Sequence, residues 1–313
     1  MKYSFGLIIL LASCSVGISH DSEKMQQNTF VESIDDDIPS DEENSVPDQD
    51  SGLEEPEESE DSVEDFIFKG PHDVSVTSTS APVTDCNIDY AVYTPSNIDN
   101  PPVAILAHGF ARGSETMVGW AEHLSSWGVE VLLPTLCHYN ILLGVDHEMN
   151  GLNLVELGQY HGSSEVVYAG HSAGGLASII AASLDNNNLG ILGLDTTDTE
   201  GTPGVPDFIG QQYAEDVTSP AFFVRGEPST CNSSGNGLDL FEMMQTSYKI
   251  KVDEADHCDF EYPTNFGCEI SCENSDAITS DEEIRSVIIT LGTSAILSLT
   301  GISDDGWILW SGS

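Results

Sequence analysis

The stretch Gly170-His171-Ser172-Ala173-Gly174 constrains the fold of this chain more than any other feature of its sequence. It lies between residues 165–169, an apolar run predicted as a strand, and residues 174–184, an apolar run predicted as a helix. Glycines two residues before and after the serine allow a turn so tight that larger side chains would collide there. The turn places Ser172 at the start of the helix, where backbone N–H groups and the helix dipole favour negative charge. The stretch therefore predicts an accessible, nucleophilic serine.

Apolar runs of strand length alternate with helical patterns along most of residues 66–313. Runs without a polar residue, such as 103–106, are typical of strands buried on both faces. The alternation predicts an α/β fold with a mostly parallel central sheet and helices on both faces. The predicted strands are 74–78, 86–93, 103–106, 129–133, 165–169, 190–194, 221–224 and 248–252, and the predicted helices are 115–126, 150–160, 174–184 and 281–299.

A serine nucleophile needs a general base and a carboxylate, which follow it in the chain order serine, acid, histidine in folds of this kind. Of the nine histidines, His257 alone comes after Ser172, just beyond the last predicted strand. We therefore predict His257 as the base. Asp195 is the first candidate for the acid because it directly follows a predicted strand, and Asp198 and Glu227 are the alternatives.

Acyl transfer also needs two N–H groups that bind the oxyanion. One belongs to the residue after the nucleophile, which is Ala173. The second lies in the loop after an earlier strand, and His108-Gly109-Phe110 follows such a strand here. We predict the N–H groups of Phe110 and Ala173 as the oxyanion hole, with His108 as a structural brace of the loop.

The N-terminal residues have the composition of an export segment followed by a tether. Residues 1–14 contain Lys2, an apolar run and a small-residue end, as in a secretory signal, and the run is too short to span a membrane. The end of this segment resembles the lipobox of bacterial lipoproteins, which implies a lipid on Cys14; the alternative is an ordinary signal peptide. Residues 15–65 are predicted as a disordered acidic tether, because 21–65 hold 19 Asp and Glu against one Lys.

Residues 66–313 are also acidic, with 34 Asp and Glu against six Lys and Arg. Such a charge repels phosphate backbones, so we expect no nucleic-acid partner. No EF-hand calcium loop occurs in the sequence, and solubility at high ionic strength is the simplest reason for the charge.

Six cysteines remain when Cys14 is set aside, and an even number in an exported chain suggests disulfides. Six cysteines allow fifteen pairings, so the sequence does not select one. The chain has no Cys-x-x-Cys pair and its histidines are scattered, which disfavours a metal site.

The motifs around Ser172, the loop 104–110, the segment 255–257 and the closing helix together resemble the α/β-hydrolase superfamily over nearly all of residues 66–313. Within it they are similar to chlorophyllases, dienelactone hydrolases and polyester hydrolases. The resemblance implies an α/β-hydrolase fold, a Ser172–His257–Asp195 triad and no cofactor. In chlorophyllases and related acetylhydrolases the acid stands in a Leu-Asp or Val-Asp pair after the sixth strand, as Asp195 does after Leu194.

The resemblance to polyester hydrolases implies a disulfide between Cys231 and Cys258, next to the acid loop and the histidine, with Cys268–Cys272 as a local bridge. The loop around Glu227 lacks the aspartate of those enzymes, which is a departure from their pattern.

We therefore expect a monomeric serine esterase, secreted or held at the cell envelope by a lipid, that cleaves small-molecule or polymeric esters. The alternative is a binding or adhesion lipoprotein that keeps the hydrolase fold without its chemistry.

Overall fold

A computed structural model describes residues 66–140, 144–202, 204–272 and 277–311. The predicted signal segment 1–14, with Cys14, and the predicted tether 15–65 lie outside the described residues. The described residues all belong to the predicted hydrolase domain.

The strands are β1 Val74–Pro82, β2 Asn87–Pro95, β3 Val103–Ala107, β4 Glu130–Pro134, β5 Tyr139–Asn140, β6 Gly144–Val145, β7 Val166–His171, β8 Gly190–Leu194, β9 Ala221–Arg225 and β10 Ser247–Lys251. Eight of them form one sheet in the order β1-β2-β4-β3-β7-β8-β9-β10. Strands β1, β2 and β4 pair antiparallel, whereas β4, β3 and β7 to β10 run parallel. Two short strands, β5 and β6, form a separate hairpin.

Seven α-helices accompany the strands in the described part of the chain. They are α1 Val118–Ser126, α2 His147–His161, α3 Ala173–Leu184, α4 Gln211–Ala214, α5 Gly237–Met243, α6 Phe266–Cys272 and α7 Asp281–Thr300. Apolar residues of α2, α3 and α5 pack on one face of the sheet, and those of α1 and α7 pack on the other. Every residue of β3, β7 and β8 is buried, because helices cover both faces of these strands.

Large aromatic side chains fill part of the core on both sides of the sheet. Trp120 is fully buried, and Phe222 and Phe223 are each 1% exposed. The Trp120 indole N–H donates to the Phe260 carbonyl, so its one polar group has a partner in the interior. These side chains stabilise the two layers on either side of the sheet.

Local signals set the ends of the long helices. Asp146 begins α2 by accepting a hydrogen bond from the Met149 N–H, and Gly162 ends it in the left-handed region with a φ of 90°. Ser280 and Glu283 form a capping box at the start of α7. Helix α7 is long and apolar enough to cross a membrane by length and composition, but more than half of that stretch is buried, as in a core helix.

The predicted α/β arrangement is confirmed, and its differences from the structure are local. The helix predicted at 115–126 is divided, because a 3-10 turn, Ser114–Met117, precedes α1. Strand β1 continues four residues beyond the predicted 74–78, although its outer residues are mostly exposed Ser and Thr. It is an edge strand that is mostly exposed, so no apolar run marks its last four residues in the sequence.

Candidate active site

Ser172 occupies the turn between β7 and α3 in a strained backbone conformation, with φ 57° and ψ −123°. A Cβ on Gly170 would lie 2.3 Å from the Gly174 carbonyl carbon, and a Cβ on Gly174 would lie 2.3 Å from the Ala107 carbonyl oxygen. The Ser172 N–H donates to the Leu194 carbonyl at 3.0 Å, which fixes the turn to the end of β8. The sequence therefore needs glycine at both positions to hold Ser172 in this conformation.

His257 and Asp195 are in direct contact beside this turn. Nδ1 of His257 lies 2.6 Å from Oδ2 of Asp195, and both side chains are buried. Asp195 directly follows β8, and His257 lies in the loop between β10 and α6. Because a carboxylate only accepts hydrogen bonds, the proton of this contact belongs to Nδ1, which leaves Nε2 free to act as a base.

Asp195 is held by the loop after β9 as well as by His257. The Gly226 N–H donates to its Oδ1 at 3.0 Å, and the Asn232 amide donates to its Oδ2 at 3.1 Å. Asn232 is itself fully buried, and its Oδ1 accepts from the Ser229 and Gly235 N–H groups. These bonds fix the carboxylate in the orientation that meets His257.

The two alternative acids have other partners. Oδ1 of Asp198 accepts hydrogen bonds from the Thr199 and Gly210 N–H groups, both at 2.8 Å. Glu227 pairs with Lys251 at 2.8 Å, on the surface of the protein. Of the three carboxylates that the sequence suggested, Asp195 is the one that contacts the histidine.

His171, between Gly170 and Ser172, is in contact with His257. Its ring packs 4.5 Å from the His257 ring, measured between centroids, and its Nε2 donates to the His257 carbonyl at 3.0 Å. Burial, together with the charge of His257, holds the pKa of His171 well below its usual value, so the ring is neutral. The sequence motif contains this residue but gives no sign that it contacts the base.

The loop after β3 lies directly against the nucleophile. A Cβ on Gly109 would lie 3.2 Å from Cβ of Ser172, and Phe110 and Ala173 border the same cavity as the serine. Within the described residues, neither the Phe110 N–H nor the Ala173 N–H has a hydrogen-bond partner. Both donors are thus unpaired and close to Ser172, and the oxyanion hole itself stays a prediction.

His108 supports this loop by two hydrogen bonds. Its Nε2 accepts from the Leu136 N–H at 3.0 Å, and its Nδ1 donates to the Gly109 carbonyl at 2.9 Å. Burial lowers the pKa of His108 to about 4, so the ring stays neutral and keeps this tautomer at neutral pH. These contacts match the bracing role that the sequence suggested.

An ion pair joins the loop of the predicted oxyanion hole to the loop of His257. Nε of Arg112 donates to one carboxylate oxygen of Glu261 at 2.6 Å, and its Nη2 donates to the other at 2.5 Å. The Glu261 side chain is fully buried, and the pair holds the pKa of Arg112 above its usual value. Nothing in the sequence indicates this pair, because the partners are far apart in the chain and neither lies in a recognisable motif.

The disulfides differ from the pairing that the resemblance implied. The bridges are Cys86–Cys137, Cys231–Cys272 and Cys258–Cys268, so the expected Cys231–Cys258 and Cys268–Cys272 bridges are wrong. The reason is helix α6, which contains both Cys268 and Cys272. Residues four apart on a helix have Cβ atoms about 5–6 Å apart, farther than the ~3.8 Å of a disulfide.

Three sulfur atoms of this cluster, those of Cys258, Cys268 and Cys272, lie within 4.8 Å of one another. All three are bonded in disulfides, and a metal requires thiolates. The oxidised cluster therefore offers a metal ion no thiolate ligand.

Two cavities meet at Ser172. The larger, of about 330 Å³, is bordered by His257, Arg112 and Glu261. The smaller, of about 160 Å³, is bordered by apolar residues such as Ala173 and Leu176 and by polar residues such as Asp198. A bound substrate can thus extend from the serine in two directions.

No protein-family model and no curated protein sequence matches this chain. A solved structure does: Est1E from Butyrivibrio proteoclasticus has 14% sequence identity to the chain and a TM-score of 0.53. The match covers 72% of this chain and 99% of Est1E, an esterase of the α/β-hydrolase type. The chain has an α/β-hydrolase fold. At this identity the likeness establishes the fold alone, and the chemistry has to be argued from the site.

Proposed function

We propose that the protein is a serine esterase that cleaves carboxylic esters through an acyl-enzyme intermediate. The observation that carries the proposal is the His257–Asp195 contact of 2.6 Å beside a serine in a strained strand-to-helix turn. Ser172 and His257 border the same cavity. A neutral imidazole with its proton on Nδ1 can accept the serine proton through Nε2, which is the role of a general base.

The first half of the reaction forms the acyl-enzyme. Oγ of Ser172 attacks the ester carbonyl while Nε2 of His257 takes its proton, and Asp195 stabilises the imidazolium that forms. The N–H groups of Phe110 and Ala173 bind the oxyanion of the tetrahedral intermediate. The C–O bond to the alcohol then breaks, and His257 returns the proton to the departing alcohol.

The second half releases the acid. His257 takes a proton from a water molecule, whose oxygen attacks the acyl carbon of the acyl-enzyme. The bond from the acyl carbon to the Ser172 oxygen breaks, and His257 returns the proton to the serine. One ester and one water thus give one acid and one alcohol, with no cofactor in the scheme.

Labelling by a fluorophosphonate probe, combined with turnover of p-nitrophenyl butyrate, tests the proposal. We expect the probe to label Ser172 and the protein to cleave the ester. Ser172→Ala should lose labelling and at least about 10⁴-fold in kcat, because it removes the nucleophile. Ser286→Ala is the matched control, since that hydroxyl donates to the Glu282 carbonyl of α7. A wild-type protein that is neither labelled nor active would favour the non-catalytic binding protein instead.

As a narrower proposal, we place the enzyme near the chlorophyllase, dienelactone hydrolase and polyester hydrolase group, acting on small-molecule or polymeric esters as a monomer. The position of Asp195 directly after β8 supports the comparison with chlorophyllases. The cysteine pairing found here gives no support to the polyester hydrolase subgroup.

We also propose that the protein is exported, as a secreted enzyme or as a cell-envelope lipoprotein anchored through Cys14. Support comes from the sequence of residues 1–14 and from the three disulfides, which form and persist in oxidising compartments. The acidic tether 15–65 would then separate the enzyme from the membrane surface.

A further inference from the structure

The loop that contains Phe110 is open to the larger cavity on one side. Gly109, Phe110 and Arg112 all border that cavity. Ala111, between Phe110 and Arg112, has a φ of 56°, in the left-handed region that alanine rarely adopts. A strained residue of this kind keeps its conformation only where its surroundings hold it. The position of the predicted oxyanion donor, the Phe110 N–H, therefore depends on contacts made by the residues next to it.

Two contacts hold this loop just after the predicted donor. The Ala111 N–H donates to the Tyr139 carbonyl at 2.6 Å, which joins the loop to β5. Nε and Nη2 of Arg112 donate to the two carboxylate oxygens of Glu261 at 2.6 and 2.5 Å, which joins it to the loop of His257. Two parallel hydrogen bonds between planar groups fix direction as well as distance. The second contact therefore sets how the two loops face each other.

Glu261 is a well-fixed point of the loop between β10 and α6. Its side chain is fully buried, and its N–H donates to the Cys258 carbonyl at 3.1 Å. The next residue, Tyr262, donates its N–H to the Thr116 carbonyl at 2.8 Å and accepts from the Gly119 N–H at 2.7 Å. The carboxylate is thus held by backbone contacts on both sides of its own residue, as a group that orients another loop has to be.

Stability alone does not account for this ion pair. Nδ1 of His171 lies 3.9 Å from Glu261, but that ring is neutral, so among the described residues Arg112 is the cation that balances the carboxylate. A buried ion pair is often no more stabilising than apolar side chains of the same volume, because both charges lose their hydration. What the pair adds is a fixed direction between the two loops.

We propose that Arg112 and Glu261 are positioning residues for the oxyanion hole. Their two hydrogen bonds hold the strained turn at Ala111 and so keep the Phe110 N–H directed at the carbonyl oxygen of the ester that Ser172 attacks. The inference rests on the proposed esterase function, and the two residues act through the loop rather than on the substrate. Removing an oxyanion donor costs about 10²–10³-fold in kcat, so loosening one should cost about 10- to 100-fold.

The test compares p-nitrophenyl butyrate with its thiono analogue, in which sulfur replaces the carbonyl oxygen. Sulfur accepts hydrogen bonds more weakly than oxygen, so the oxygen-to-sulfur ratio of the two kcat/KM values reports the contribution of the oxyanion donors. The double variant Arg112→Met/Glu261→Met removes both charges at similar volume. We expect its kcat for the oxygen ester to fall about 10- to 100-fold with KM little changed, and the ratio to fall at least about fivefold.

Two controls separate this effect from others. Lys251→Met/Glu227→Met removes a partly exposed ion pair, and its kcat and ratio should stay within about twofold of the wild type. Asp195→Asn impairs the base but not the donors, so it should lower both rates alike and leave the ratio unchanged.

The outcomes that contradict the inference are distinct. A double methionine variant with wild-type kcat and ratio would overturn it, and so would a loss of kcat that leaves the ratio unchanged, as in Asp195→Asn. A rise in KM alone would show that Arg112 binds the substrate directly, which also contradicts a positioning role. In each of these cases the esterase itself stands. If the wild type cleaves neither ester and Ser172 is not labelled, the proposed function fails as well.

Should the double variant not fold, Arg112→Lys decides. An ammonium keeps the charge beside Glu261 but not the two-bond geometry of the guanidinium. We expect kcat and the oxygen-to-sulfur ratio to fall in this variant too. Wild-type values for both would refute the inference.

Discussion

The Asp195 carboxylate accepts hydrogen bonds from two loops. The directions of these bonds predict the effect of replacing Asp195 by the neutral asparagine. The Gly226 N–H needs an acceptor at Oδ1, so in Asp195→Asn the new amide nitrogen faces His257. His257 must then carry its proton on Nε2, which removes the base that Ser172 requires. We expect kcat to fall by about 10³–10⁴-fold with KM little changed. Steady-state kinetics on p-nitrophenyl butyrate provide the measurement.

Glu227→Gln is the matched control for this substitution, since it also neutralises a carboxylate that the sequence offered as the acid. Its partner in the structure is Lys251, and the pair is partly exposed, so we expect turnover within about twofold of the wild type. Equal losses in the two variants would contradict Asp195 as the acid.

The pKa of Asp259, two residues after His257, predicts how the free energy of unfolding depends on pH. Burial, with Asp256 and Asp281 nearby and despite Arg285, raises its pKa from 3.8 to about 7. The folded state thus binds this proton more tightly than the unfolded state does. Between about pH 4 and pH 7 unfolding releases the proton, so the free energy of unfolding falls as pH rises, by at most about 1.4 kcal/mol per pH unit.

The substitution Asp259→Asn should remove this fall, because the amide stays neutral at every pH. Urea unfolding of the variant and of the wild type at pH 5 and pH 8 measures the difference. The free energy of unfolding of the variant, minus that of the wild type, should be larger at pH 8 than at pH 5. A difference between the two proteins that does not change with pH would refute the assignment.

Among single residues, the sequence predicted those whose roles follow from a local motif or from their order along the chain. Ser172 lies in a local motif, and His257 is the single histidine after it. The choice among Asp195, Asp198 and Glu227 needed the structure, because it depends on which loop reaches the imidazole. Buried partners such as Asn232 and Glu261 were missed for the same reason, since their contacts join loops distant in sequence.

Disulfide bonds join two loops of the site to helix α6. We therefore expect two bridges of similar span, one at the site and one elsewhere, to differ in their effect on activity. Cys231–Cys272 joins residues 41 apart in the chain and Cys86–Cys137 joins residues 51 apart, so chain entropy assigns each a stabilisation of about 4 kcal/mol. Cys231 is adjacent to Asn232, which holds Asp195. The double variant Cys231→Ser/Cys272→Ser should therefore lose stability and also at least about tenfold in kcat.

The matched control is Cys86→Ser/Cys137→Ser, whose bridge lies outside the residues that border the two cavities. It should lose a similar free energy of unfolding but retain kcat at temperatures where the variant is folded. Denaturant unfolding and kinetics of both double variants, below their midpoints, separate the two effects. A parallel loss of activity in both would mean that the bridges act through global stability alone.

Element prediction succeeded where burial gives long apolar runs and failed where tertiary contacts define short elements. Strands β3, β8 and β9 follow continuous apolar runs and were found within one residue of the predicted ends. Helix α6 has seven residues with two cysteines and no apolar period, so nothing in the sequence indicated it. The disulfide pairing implied by the resemblance to polyester hydrolases did not allow for this helix, and it is wrong.

The whole molecule is strongly negative, because it has far fewer Lys and Arg than Asp and Glu side chains. The formal net charge is −45, and residues 66–313 contain six Lys and Arg. Lys69, Arg112, Lys251 and Arg285 each lie within 4.0 Å of a carboxylate, which still leaves most acidic side chains without a cation. Repulsion among these charges destabilises the compact state relative to an expanded one.

Salt should therefore stabilise the protein at neutral pH. The Debye length falls from about 10 Å at 0.1 M to about 3 Å at 1 M salt, so repulsion between neighbouring surface carboxylates is largely screened at the higher concentration. We expect the thermal midpoint at pH 7 to rise by several degrees between 0.05 and 1 M NaCl. The same series near pH 4.1, the isoelectric point of the sequence, provides the control, because the net charge there is close to zero. A rise of equal size at both pH values would assign the effect to exclusion of salt from the protein surface rather than to screening. A fall at pH 7 would show that salt weakens exposed ion pairs such as Lys69–Glu122 more than it relieves repulsion.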